Sequence, residues 1–365
     1  MLCPTPLNNQ MRSKILDKEG TMRKISLISL VTICLALMAC SPTASFPISV
    51  PSPVPLSTTA AKSGTIRFAL NGSPSVKDIP SLMALDALQA QGYTTQVVTF
   101  AKTDQMTDAL ARGDVEIASP STNAAWTAIA KGADFRTIVG RANMSFYLIV
   151  SPDIQSCQDL NGKTLSFATR QSVGYLIYDK YIKENCPGVN PDILLVNESK
   201  NRVVSLDTHK VDGSYLDIDD WLSLNQKEPG KFRVLIDYQK AYPQIQYSTF
   251  SVYNPWAKQH PEIVKDFVRA LLKANRQVTD DPQVLQNEIV KRLSMNEADA
   301  KELAHAFLSL GLWDANGALT NDNLRYTLDF LVQNGQVPPG KTVEDVTDLS
   351  YLNAVLNEIG RVPPK

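Results

Sequence analysis

The sequence has no excess of either charge. Lys and Arg number 36 against 37 Asp and Glu, the net charge is −1, and no basic block stands out. A nucleic-acid partner, held through neutralised phosphates, therefore has no electrostatic footprint here. Histidine is scarce: His209, His260 and His305 lie far apart, and none belongs to an HxxH, HExxH or CxxC pattern. That scarcity argues against a zinc site and against a His-based triad. Five cysteines in 365 residues are too few for a disulfide-built scaffold. At 44 % hydrophobic and 20 % charged residues, the composition excludes a disordered or collagen-like chain and supplies ample core. The length fits roughly two domains.

One apolar run matters. Residues 25–39, ISLISLVTICLALMA, follow Arg23 and Lys24. The run is shorter than the roughly 20 residues a membrane-spanning helix needs, and with its basic flank and small terminal residues it describes an export signal. It closes Leu37-Met38-Ala39-Cys40, with Ser41 and Pro42 next. This resembles the lipobox of bacterial lipoproteins, which implies that Cys40 is acylated and becomes the first mature residue. Residues 1–21 are polar and fit no signal region, so Met22 is the expected start. Loss of residues 1–39 removes five Lys/Arg and two acids and takes the charge from −1 to −4. Residues 41–64 hold five prolines among Ser, Thr and Ala. Such chain stays extended, with a reach on the order of 70 Å, and reads as a tether. Cys3 and Cys34 leave with the signal. The remaining pair, Cys157 and Cys186, fits either a disulfide or two separately buried thiols.

The folded body begins near Thr65. Short β-type runs at 65–70, 94–100, 115–119, 135–141 and 145–151 alternate with helical patterns that stop at Gly92, Gly113 and Gly132. The pattern restarts with runs at 164–169, 193–197 and 232–237 and a helix at 174–184. Strands alternating with helices of about ten residues predict a βαβ architecture with a largely parallel sheet, repeated as two lobes. After a further run at 248–253 the chain is helical: 262–279, 282–293, 297–308 and 321–333. With no strand partner of its own, this tail is expected to pack back on the first lobe.

Four segments carry a likeness to a known family. They are 104–118 (DQMTDALARGDVEIA), 159–172 (DLNGKTLSFATRQS), 209–221 (HKVDGSYLDIDDW) and 254–276 (NPWAKQHPEIVKDFVRALLKANR). In this order and spacing they resemble the solute-binding lipoproteins of ABC importers, in the branch for sulfonates, nitrate and the thiamine pyrimidine. Where that family reads "WxPY", this chain has Asp219-Asp220-Trp221-Leu222, a departure. The resemblance implies an α/β, two-lobed type II periplasmic-binding-protein fold with a hinge and a helical C-terminal tail. It divides the chain into a signal (1–39), a lipid-anchored linker (40–63), lobe 1 (64–150 plus 246–365) and lobe 2 (151–245). It further implies a monomer without a cofactor, partnered by a permease and an ATPase. Ligand would lie between the lobes and close them.

In α/β sheets ligands bind beyond the carboxyl ends of strands. That rule selects Asn71, Gly72 and Ser73, then Ser119, Ser121 and Thr122, and near the hinge Asn143, Ser145, Phe146 and Tyr147. In the second lobe it selects Thr169, Arg170, Gln171, Ser172 and Tyr175, then Tyr215, Asp217, Asp219, Asp220 and Trp221. Ser121 and Ser172 also read as helix N-caps and Trp126 as core. Arg170 is the one cation in the set, able to hold a carboxylate or sulfonate. Tyr147, Tyr175, Tyr215 and Trp221 offer faces for a ring, and the aspartates accept from N–H or hydroxyl groups. The expected ligand is therefore an aromatic heterocycle such as riboflavin or a thiamine pyrimidine. An alkanesulfonate, taurine or nitrate is the alternative. An enzyme of the same fold and a structural envelope lipoprotein are the competing classes; no catalytic constellation is visible for the first.

Overall fold

A computed structural model describes residues 62–363; the expected signal, Cys40 and the expected tether as far as residue 61 lie outside the described residues. The chain enters at β1 (Thr65–Asn71), then runs through α1 (Ile79–Ala90), β2 (Thr94–Phe100), α2 (Thr103–Arg112), β3 (Ile117–Ala118), α3 (Thr122–Ala130) and β4 (Phe135–Ala142). It then crosses to β5 (Phe146–Val150), β6 (Thr164–Phe167), α4 (Val173–Asn185), β7 (Asp192–Leu195), α5 (Ser199–Asp207), β8 (Gly213–Asp217), α6 (Ile218–Lys227) and β9 (Arg233–Asp237). A short α7 (Tyr238–Ala241) carries it back to β10 (Ser248–Tyr253). The remainder is helical: α8 (Asn254–Gln259), α9 (Pro261–Asp280), α10 (Pro282–Leu293), α11 (Glu297–Ser309), α12 (Asn321–Gln333), α13 (Val343–Val346) and α14 (Ser350–Ile359).

Two five-stranded sheets result, ordered β2-β1-β3-β10-β4 and β7-β6-β8-β5-β9. Neither is wholly parallel. In the first sheet β10 runs against β3 and β4, and in the second β5 runs against β8 and β9. Both reversed strands come straight from a crossover between the sheets. They start at the edge where their neighbours end, so they must run the other way.

Local chemistry sets the element ends. Gly113 closes α2 with φ +75°, and a Cβ there would come 2.5 Å from the Tyr253 ring, so the turn needs glycine twice over. The sequence pattern predicts a strand at 115–119, but β3 holds only Ile117 and Ala118. The Glu116 carboxylate takes the Arg67 backbone N–H at 2.5 Å and its guanidinium as well, so a side chain replaces a ladder carbonyl. Trp126, fully buried, donates its indole N–H to Thr137 Oγ1 at 3.1 Å.

The tail is shared between the two sheets. Phe267 and Leu271 of α9 and Leu352 and Val355 of α14 join Phe68 and Phe250 of the first sheet in one apolar cluster. Leu285, Ile289, Ala304 and Phe307, from α10 and α11, join a cluster that contains Ile149, Leu216 and Phe232 of the second lobe. The loop after α11 also braces both crossovers. Asn143 donates its backbone N–H to Leu312 O and its amide to Gly311 O, each at 2.8 Å, and Gln239 donates to Leu310 O at 3.0 Å. The Asn143 side chain, a strand-end candidate by sequence, is thus a hinge brace.

Cys157 and Cys186 face each other with Cα atoms 6.1 Å apart, a span a disulfide bridges. Closing that loop should stabilise the body by roughly 3–4 kcal/mol on the chain-entropy model. The double variant Cys157→Ser/Cys186→Ser should lose about that much in denaturant unfolding. Alkylation of the denatured, unreduced protein should leave both residues unmodified; two modified thiols would rule the bond out.

Candidate functional site

In each sheet four strands run toward the crossover edge, and polar side chains from several of these ends form a connected cluster there. Its centre is an ion pair between the lobes. Lys77 lies in a 3-10 turn (Val76–Asp78) between β1 and α1, and its ammonium meets the Asp217 carboxylate at the end of β8. Both side chains are nearly withdrawn from water, 11 % and 12 % exposed. Burial works against the charged ammonium, but Asp217 and Asp219 outweigh it and hold the Lys77 pKa above the usual lysine range. Asp217 also accepts from Ser145 Oγ and from the Ile218 N–H, both at 2.8 Å, and the second of these bonds caps α6.

A second ion pair lies beside the first. Arg141 of β4 donates to Asp78 Oδ1 at 2.5 Å and to Ser248 Oγ at 3.3 Å. Despite burial, the Arg141 charge keeps the Asp78 carboxyl below its ordinary pKa. Arg202 of α5 is buried too. It donates to the carbonyls of Tyr215, Val196 and Asn197 at 3.0, 3.1 and 2.8 Å, with its guanidinium 5.5 Å over the Tyr215 ring.

Under these charges is a nest of rings. Phe146 stacks on Tyr215 at 4.6 Å and meets the edge of Tyr247 at 4.7 Å; Tyr238 stacks on Tyr215 at 5.8 Å. Gly174 makes room for this: a Cβ there would lie 2.3 Å from the Tyr215 ring. The Lys77 ammonium is 5.2 Å from the Phe146 centroid. Arg141 Nε, Thr122 Oγ1 and Asp219 Oδ1 are buried around this nest without a hydrogen-bond partner among the described residues. Such atoms are costly to leave unmatched, and a bound solute with both donors and acceptors would match them.

The strand-end residues fall into three groups. Thr122, Tyr215, Asp217 and Asp219 belong to the cluster, with Ser145 and Phe146. Arg170, Ser172 and Tyr175 form a rim on the second lobe. There Arg170 is exposed and donates to Tyr175 Oη at 2.6 Å, and the Ser172 hydroxyl donates to Thr169 O at 2.7 Å. Across the cleft Asn123 of α3 donates to Gln171 O at 3.2 Å, beside the N-cap Ser121. Tyr147 and Trp221 pack with the apolar cluster on the opposite face of the second sheet, and Asn71 is exposed at the end of β1. Asp220 accepts from the Ser199 hydroxyl. Arg170 is not the one cation: Lys77, Arg141 and Arg202 lie at the cluster, and Tyr247 joins them from the second crossover. The strand-end rule could have found Lys77 had it been extended through the turn after β1. The three histidines sit elsewhere, between α5 and β8, between α8 and α9, and on α11. Among the described residues no group of three or more His, Cys, Asp or Glu is placed to hold a metal ion.

A family model described as NMT1/THI5 like matches residues 88–284, more than half of the chain. The chain belongs to that family. The span matched in this NMT1/THI5-like chain runs from the end of α1 into α10 and takes in both crossovers. Solved structures share its fold. A ligand-binding component of an ABC-type import system from Staphylococcus aureus, with zinc bound, superposes with TM-score 0.66 at 14 % identity over 80 % of this chain and 98 % of that one. The periplasmic aliphatic sulphonate-binding protein of Escherichia coli gives 0.61 at 14 % over 82 % and 94 %. The periplasmic nitrate-binding protein of Synechocystis gives 0.61 at 11 % over 81 % and 89 %. No curated protein matches the sequence. The fold is therefore that of the periplasmic binding proteins, two α/β lobes with a helical C-terminal region.

The cluster should make stability depend on pH. Burial and the neighbouring Asp217 charge push the Asp219 pKa up to about 6 from 3.8. The folded state therefore favours the protonated acid, and stability falls as pH rises through the interval between these values. The cost at neutral pH is on the order of 1–3 kcal/mol, because each tenfold change in proton affinity is worth about 1.4 kcal/mol. Asp219→Asn should melt higher than wild type at pH 7.5, and the difference should vanish near pH 4. An equal difference at both pH values would contradict this.

Proposed function

We propose that the protein is the extracytoplasmic solute-binding component of an ABC importer, tethered by a lipid on Cys40, and that its ligand is an aromatic heterocycle with N–H or hydroxyl donors. The observation that carries this reading is the nest of Phe146, Tyr215 and Tyr247 against the Asp217 and Asp219 carboxylates, at the junction of two lobes. Tyr215 is already stacked by Phe146 and Tyr238, so a planar ring would gain by stacking on Phe146 in place of Lys77, and ring N–H or hydroxyl groups give the carboxylates their donors. Riboflavin and thiamine pyrimidines have this chemistry. The fold supports the importer role, because two lobes joined by two crossovers can close over a solute. So does the point of entry of the chain. Lys62 pairs with Asp266 at 2.5 Å and Gly64 O accepts from Thr94, so the tether joins at the amino end of β1, away from the cluster. A tether with a reach on the order of 70 Å lets the cleft turn toward a membrane partner even so.

A sulfonate or nitrate ligand is the second reading, favoured by Lys77, Arg141 and Arg202. Against it, Asp78, Asp217 and Asp219 stand in the same cluster and match the three cations charge for charge, leaving no surplus of positive charge.

Thermal unfolding against riboflavin, thiamine, hydroxymethylpyrimidine, taurine, alkanesulfonates and nitrate separates the two. At a hundred times its dissociation constant a true ligand adds about 2.7 kcal/mol, enough to raise the melting temperature by several degrees. A heterocycle should give that rise and the anions none; a rise with anions alone would overturn the ligand class. Cys40→Ser should release the protein from the membrane fraction. Continued membrane association of that variant would contradict the lipid anchor.

A further inference from the structure

The Lys77–Asp217 pair joins two rigid frames. The turn that carries Lys77 is held to the first sheet, where Asp78 accepts from the Ser75 N–H at 2.9 Å and pairs with Arg141 of β4, and to the helical tail, whose Trp313 indole N–H donates to Lys77 O at 3.4 Å. Asp217 is fixed where the end of β8 meets the first crossover. Its Oδ1 takes both the Ser145 hydroxyl and the Ile218 N–H, so only Oδ2 faces Lys77. One carboxylate oxygen thus maintains the frame and the other spans the cleft. The same ammonium covers part of Phe146. A solute that reaches Oδ2 or that ring must first displace Lys77.

We propose that Lys77 is an internal competitor for the cleft: on Asp217 it takes the place of the donor group of a solute, and by doing so it holds the two lobes closed when no solute is bound. The inference rests on the solute-binding reading and adds to it that the displacing group must be an N–H or cationic donor. The contact exists only in the closed arrangement. When the lobes part, Lys77 and Oδ2 are hydrated while Oδ1 keeps its bonds to Ser145 of the first crossover and to Ile218, so the pair biases the equilibrium toward closure. Without the ammonium, closure would bury Oδ2 as an uncompensated charge, and opening would relieve it.

Energy transfer between dyes at Asp108 of α2 and Lys200 of α5 reads this directly. Both residues are exposed, one in each lobe. Unnatural amino acids would carry the dyes, so that Cys157 and Cys186 stay untouched. In the purified protein without solute, wild type and Lys77→Arg should show the high-transfer, closed population, and Lys77→Met should lose it. Asp217→Asn, which keeps the acceptor for Ser145 and Ile218, should lose it too and serves if Lys77→Met does not fold. Closed populations in folded Lys77→Met and Asp217→Asn, or an open wild type, would overturn the proposal. Because no solute is present, an open wild type leaves the binding reading standing, and silence across a solute panel leaves the latch standing.

Discussion

A strand that starts at a crossover must run away from it. β5 and β10 are those strands, and the other four in each sheet run toward the same edge. That single constraint collects eight strand ends and the helices that follow them at one junction. It makes Asp217 at once the end of β8 and the cap of α6, and it puts Thr122 at the first turn of α3. Backbone N–H groups and short polar side chains meet there because helices begin there. The helical tail then ties Asn143 and Gln239, one from each crossover, to residues 310–312.

The charges at this junction do not hold the fold together. Buried ion pairs give back much of their Coulombic gain as lost hydration, and well-packed apolar groups of the same size often do as well. Stability comes instead from the apolar clusters on both faces of each sheet. What the Lys77–Asp217 and Arg141–Asp78 pairs supply is position. On the proposed reading each fixes a polar group where a solute would meet it, and the first makes that group depend on whether the lobes are together. The raised pKa of Asp219 has the same origin, since a carboxyl held beside Asp217 and away from water resists ionisation.

Much of the secondary structure is legible from periodicity and punctuation. The limits of β2, β10, α10 and α12 coincide with runs bounded by Pro, Gly or polar residues. Periodicity fails where long-range pairing decides. β3 is shortened by the carboxylate of Glu116, the residue just before it, and α14, one short amphipathic helix, owes its place to α9 and β4. The junction shows the same division. The strand-end rule reaches Thr122, Tyr215, Asp217 and Asp219 because it follows from chain direction alone. It stops short of Lys77, four residues beyond Ser73 in the turn after β1, and passes over Arg141 inside β4; that the two are paired, across 140 and 63 residues, no local pattern marks. Arg170 stands out in sequence as a cation in a loop, yet it remains exposed on the rim.

The central claim is that a ring-bearing solute with hydrogen-bond donors occupies the junction between the lobes. Native mass spectrometry of the protein isolated from its own cells tests it most directly, because the cell chooses the solute. The expected result is a one-to-one complex with a small aromatic heterocycle that is lost in Asp217→Asn. A bound alkanesulfonate or inorganic anion, or a heterocycle retained unchanged by that variant, would contradict it.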